Sequence, residues 1–129
     1  MSFIDLANKR YSTKNYKKTP VPQEKINRCI EVARLAPSAC NSQPWKFIKE
    51  LAKAAFEGIL DFNHFAFKAP VLVLIVSERQ KAFAKLGGIV KRKNFSLMDI
   101  GITAEHFCLQ ATEEGLGTCA IVKGKWDHC

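Results

Sequence analysis

The sequence predicts an α+β domain, a central sheet flanked by helices, and three observations carry that expectation. Val71-Leu72-Val73-Leu74-Ile75-Val76 is an unbroken aliphatic run; without polar alternation it reads as a strand buried on both faces, with helices either side. Apolar residues recur at helical spacing at Ile26, Cys29, Ile30 and Ala33, and again at Ile100, Ala104, Phe107, Cys108 and Ala111. Pro20, Pro22, Pro37, Pro44 and Gly115 punctuate the chain between segments of different period, so helices and strands interleave around one core.

Taken in order, Phe3, Leu6 and Ala7 mark one side of a short helix over 3–9. Residues 10–19 are polar and basic. Pro22 then opens a second helix, since proline is pre-set for the first helical position. That helix ends before Pro37, because the residue preceding a proline avoids the helical region. Pro37 to Pro44 is a loop rich in turn formers. A short strand is expected over 45–48, a helix over 51–60, the apolar strand over 71–76, and a basic helix-and-loop excursion with Gly87-Gly88 over 79–93. Ser96 and Asp99 predict a capping-box start for the long helix; Gly115 suits its C-terminal cap. Thr118 to Val122 is expected as a second buried strand.

The chain has 129 residues, one domain by length. No apolar run approaches the ~20 residues of a membrane helix, and the opening residues lack a signal-peptide pattern, so the expected location is cytoplasmic. Five cysteines, an odd number with no C-x-x-C spacing, argue against a disulfide framework or a zinc site. The net charge of +8, from 20 basic and 12 acidic residues, favours anionic partners. The aromatics are not interleaved with the cations as a base-stacking surface needs, so no nucleic acid partner is expected.

Two segments could hold a ligand. If Arg10-Tyr11-Ser12-Thr13-Lys14 leaves its helix extended, residues 10, 12 and 14 point the same way. Arginine grips phosphate through paired hydrogen bonds, and serine and lysine add a donor and a point charge. In Pro37-Ser38-Ala39-Cys40-Asn41, Ser38 and Asn41 offer hydrogen bonds, Ala39 lets a ligand approach the backbone, and the prolines at 37 and 44 favour a preorganised loop. Spacing alone does not separate either segment from an ordinary solvated loop.

These residues resemble the blocks of the nitroreductase family. Arg10-Tyr11-Ser12-Thr13-Lys14 is similar to the family's opening phosphate-proximal segment. Ala33-Arg34-Leu35-Ala36-Pro37-Ser38-Ala39 followed by Asn41-Ser42-Gln43-Pro44-Trp45 is similar to its most recognisable stretch. Ala69-Pro70-Val71, Asp99-Ile100-Gly101 and Gly115-Leu116-Gly117-Thr118-Cys119 follow in the same order. The resemblance implies a nitroreductase-like fold, one domain over 1–129, and an FMN-dependent oxidoreductase. Such a protein passes electrons from NADH or NADPH to nitroaromatic, quinone or related acceptors in a ping-pong cycle. It implies a homodimer with FMN at the interface. Arg10, Tyr11, Ser12 and Lys14 of one subunit then hold the cofactor, with Pro37, Ser38, Ala39 and Asn41 of the other. Ala120, Ile121 and Val122 lie close to the ring. The flavin carries the chemistry, so no catalytic side chain is expected. The resemblance runs to residue 122, whereas family members continue with a further strand and a basic segment. The chain is therefore read as shortened at its C-terminus. The alternative reading is a shortened, non-catalytic homologue that dimerises and binds flavin or nucleotide weakly.

Overall fold

The computed structural model describes residues 1–50, 68–77 and 95–121. Its elements are α1 (Phe3–Lys9), α2 (Gln23–Arg34), a 3-10 turn (Ala39–Asn41), β1 (Trp45–Glu50), β2 (Leu72–Ser77) and α3 (Phe95–Glu113). The helix expected over 51–60, the basic excursion over 79–93 and Val122 lie outside the described residues.

A reciprocal cap starts α1. The Ser2 hydroxyl accepts from the Asp5 N–H, and the Asp5 carboxylate accepts from the Ser2 hydroxyl and N–H. Those bonds, the side-chain one first, hold the Asp5 carboxyl below its usual range. No residue of α1 is buried. Pro22 occupies the N-cap of α2, one residue ahead of the first turn, and the helix buries Ile26, Cys29 and Ala33. It closes at Leu35 and Ala36, whose N–H groups donate to the Val32 and Ala33 carbonyls, just before Pro37 as expected.

The core lies between α2 and α3, which pack side by side. Here one expectation is corrected. The apolar stripe Ile100, Ala104, Phe107 and Cys108 is only half-buried; the face of α3 packed deepest carries Ser96, Asp99, Thr103, Ala111 and Thr112. Small and polar side chains let the two backbones approach closely, and the polar groups then need partners. Thr103 finds one: its hydroxyl donates to the Ala33 carbonyl at 2.5 Å, a second bond to the acceptor that the Ala36 N–H also uses. The capping-box expectation is also corrected. Ser96 lies inside the first turn of α3, and Asp99 accepts a hydrogen bond from a different part of the chain, the Ala39 N–H.

Gly115 ends α3 as expected. With φ +77 it directs its N–H to the Thr112 carbonyl at 3.1 Å and the Leu116 N–H to the Ala111 carbonyl at 2.8 Å, the paired bonds of a left-handed helix cap. Beside this cap, Arg28 of α2 grips the Glu114 carboxylate with two bonds, at 2.5 and 2.7 Å, while Lys25 donates to the Glu114 carbonyl.

β1 and β2 pair antiparallel, from Trp45 opposite Ser77 to Glu50 opposite Leu72. Trp45 and Phe47 turn inward and Lys46 and Ile48 outward, the period-2 pattern of a half-covered strand. β2 packs on α3, yet it is not buried on both faces: Leu74 and Ser77 are exposed and the rest half-buried. An apolar run tells that neither face suits water; it does not tell whether the same chain covers both. The second buried strand is not found either. Over 118–121 the described chain makes a single parallel bridge, Ser12 to Thr118, and Ala120 and Ile121 are exposed.

Candidate functional site

That bridge organises the first candidate segment. Arg10 leaves α1 in extended conformation, and the Thr13 N–H donates to the Thr118 carbonyl at 2.8 Å. Thr13 is buried, while Ser12 and Lys14 on either side are exposed. The alternation expected for an extended strand is therefore present from 12 to 14; Tyr11 is exposed as well. The approach is close because residue 117 is glycine. A Cβ there would stand 2.5 Å from the Thr13 hydroxyl oxygen and 3.0 Å from its Cβ. Arg10 is half-buried, and its Nε lies 3.9 Å from the Glu105 carboxylate of α3. Such a loose, solvent-facing pair is worth at most ~1 kcal/mol, so the guanidinium can exchange it for a stronger anion. Behind the segment, burial, then the neighbouring Cys119 and Cys108 thiols, push Tyr16 up to about 12. Burial raises the Cys108 thiol too.

The second segment is a strained turn. Cys40, Asn41 and Gln43 take φ of 52, 51 and 50, the left-handed region that costs a non-glycine residue roughly 1–2 kcal/mol. Several bonds hold the turn. The Ser38 hydroxyl accepts from the Gln43 N–H at 3.0 Å; the Asn41 and Ser42 N–H groups donate to the Ser38 and Ala39 carbonyls. The Ala39 N–H donates to Oδ1 of Asp99 at 3.1 Å. Asp99 is 0% exposed, and its Oδ2 has no hydrogen-bond partner among the described residues. Pro37 and Asn41 are exposed, Ser38 and Ala39 half-buried.

The structure thus brings Arg10, Tyr11, Ser12 and Lys14 beside Thr118, Ala120 and Ile121. It does not bring Pro37, Ser38, Ala39 and Asn41 to them within one chain. The two groups meet α3 at Glu105 and Asp99, ~9 Å apart along the helix axis and on different faces. The first group suits a phosphate monoester: one loosely held guanidinium, one exposed hydroxyl and one exposed ammonium. An FMN phosphate fits that donor set. Sequence reasoning missed Asp99 as a partner of the loop, and Gly117 as the point of close approach. A signal for Asp99 exists: with Ser96 and Thr103 it forms a polar line at i, i+3 and i+7 through the mostly apolar first half of the helix.

A family-wide sequence profile described as the nitroreductase family matches residues 7–49 and 49–123. A 5,6-dimethylbenzimidazole synthase of Rhodospirillum rubrum is 32% identical over 108 residues, 84% of this chain and 48% of the synthase. The chain thus spans about half the length of that relative. Among solved structures, a nitroreductase family protein of Clostridium difficile 630 superimposes with TM-score 0.70 at 33% identity, over 91% of this chain and 66% of that one. A BluB-like flavoprotein of the same organism gives TM-score 0.74 at 26% identity, over 92% and 73%. With a profile that covers nearly all of the described residues and solved relatives that share the fold, the chain belongs to the nitroreductase family.

Proposed function

We propose that this chain is the FMN-binding part of an NAD(P)H-dependent oxidoreductase that acts as a homodimer. The observation that carries the reading is the Ser12–Thr118 bridge, which sets an extended cationic segment beside the stretch 118–121, half-buried at Thr118 and Cys119 and exposed at Ala120 and Ile121. When bound, FMN supplies the hydride chemistry, from NADH or NADPH to a nitroaromatic, quinone or related acceptor in a ping-pong cycle. The protein supplies position and charge. Arg10 leaves Glu105 to hold the phosphate, with Ser12 donating a further bond. Lys14 places a positive charge at the pyrimidine edge of the ring, where it favours the electron-rich state. Ala120, Ile121 and Val122 offer backbone near the ring. Pro37, Ser38, Ala39 and Asn41 come from the other subunit and cover the flavin. No side-chain nucleophile or acid–base pair is required.

A second reading, a homologue that dimerises and binds flavin weakly without turnover, is favoured by one observation: Arg10 already has an anionic partner in Glu105. One experiment separates the two. The visible spectrum of the purified protein is recorded before and after FMN is added and the excess removed. Retained flavin bands that bleach anaerobically with NADH or NADPH support the oxidoreductase. A folded protein that keeps no flavin, or whose bands persist with either donor, refutes it and favours the second reading.

A further inference from the structure

We propose that Asp99 is a positioning residue. From the interior of α3 it holds the turn at Ala39–Asn41 in the left-handed form that meets the flavin. The inference rests on the flavin reading above for the ligand, but not for the anchoring itself. Three observations lead to it. Asp99 is wholly buried on the deepest-packed face of α3, where a carboxylate carries a desolvation cost that an apolar residue would not. Its Oδ1 takes the Ala39 N–H, the first donor of the turn. An N-cap side chain reaches the second or third donor of a helical turn and not the first, so Ser38 cannot serve the Ala39 N–H; it makes no capping bond at all, its hydroxyl accepting from the Gln43 N–H instead. The first donor of the turn is therefore satisfied by a residue 60 positions away in sequence.

The turn needs such an anchor because Cys40, Asn41 and Gln43 all sit at positive φ. A backbone in this state persists only where its surroundings over-determine it. Without the Asp99 bond, the turn relaxes toward ordinary φ values and the binding-competent fraction of the protein falls. Apparent affinity falls by the same factor. The effect belongs to the acceptor oxygen at this one position and is not a general loss of buried hydrogen bonding. Thr103, one turn further along the same face, makes a buried bond to the Ala33 carbonyl, outside the turn.

The test uses the full 129-residue chain as wild type, Asp99→Ala, Asp99→Asn and Thr103→Val. Two quantities are read: hydrogen exchange at the Ala39 amide without flavin, and the FMN dissociation constant by fluorescence quenching. Asp99→Ala is expected to unprotect Ala39 and to weaken FMN binding by about tenfold or more. Asp99→Asn keeps an oxygen for the Ala39 N–H and is expected to retain protection, with affinity within about threefold of wild type. Thr103→Val lowers the melting temperature while leaving both readouts in place. Unchanged protection at Ala39 in Asp99→Ala overturns the anchor. Equal weakening of FMN binding in Asp99→Ala and Thr103→Val overturns the positioning role. Should wild type take up no FMN while Asp99→Ala alone unprotects Ala39, the flavin reading fails and the anchor stands.

Discussion

At the scale of single residues, Arg10 and Gly117 shape the Arg10–Lys14 segment in opposite ways, one by its charge and one by its lack of a side chain. Among the described residues the Arg10 guanidinium pairs with Glu105, in a loose 3.9 Å contact, so its truncation is expected to cost little stability. Arg10→Ala is expected to weaken FMN binding by about tenfold or more, the worth of one charge-assisted hydrogen bond, with an unchanged circular dichroism spectrum. Equal FMN affinity in the variant and wild type would remove Arg10 from the phosphate site. Gly117 acts by being small. In Gly117→Ala the new methyl meets a buried, β-branched Thr13 that cannot rotate away. A destabilisation of about 1–3 kcal/mol follows, read as a shifted denaturant midpoint. Adding Thr13→Ala removes the obstructing oxygen and methyl, so the double variant is expected to recover most of the loss; no recovery would place the strain elsewhere. Arg10, Ser12 and Lys14 stand out as candidates in the sequence because their chemistry is written in residue type and spacing. Gly117 was visible only within a motif. Its reason is a contact with a residue more than 100 positions away, which no local pattern encodes.

At the scale of elements, the fold was legible wherever a local rule decides it. Proline placed both ends of α2, and glycine at 115 ended α3. The rules failed where packing decides. The helical stripe picked the wrong deep face of α3, because that face is small and polar while its apolar residues lie half outside. Of the strand expected at 118–122, the described residues 118–121 carry one bridge, to Ser12, because a run of apolar residues says nothing about which neighbour it pairs with. The lock between α2 and the end of α3 was also invisible to periodicity, since Arg28 and Glu114 are far apart in sequence. This lock has a pH signature. The hydrogen bonds from Arg28 hold the Glu114 carboxyl below its usual range. A depressed folded-state value means the pair's stabilisation is complete above the ordinary carboxylate range and is lost as the pH falls through that depressed value. Glu114→Gln should therefore be less stable than wild type at neutral pH, and the two melting temperatures should converge in acid. A gap that stays constant down to acid pH would show that the pair contributes no pH-dependent stability.

At the scale of the whole molecule, the distribution of apolar surface is the feature that one chain does not explain. α1 buries none of its residues, and Phe3 and Ile4 stand 72% and 68% exposed. It lies against α3, where Leu97 and Met98 are 72% and 55% exposed. A helix that turns its small polar face inward and large apolar side chains outward is patterned for a second apolar surface. In the proposed homodimer a second copy would supply one, and it would also complete the geometry of the site. Within one chain Asp99 and Glu105 hold the two candidate segments on different faces of α3, whereas a partner can bring its own Ser38 and Asn41 to the Arg10–Lys14 segment. Assembly and flavin retention are then one event. Leu97→Asp is expected to convert the dimer to a folded monomer and, in the same step, to abolish retained flavin. Light scattering after size-exclusion chromatography gives the mass, and absorbance across the same peak gives the flavin. A folded Leu97→Asp monomer that still carries flavin would mean that each chain completes its own site, and the two segments would have to meet within it.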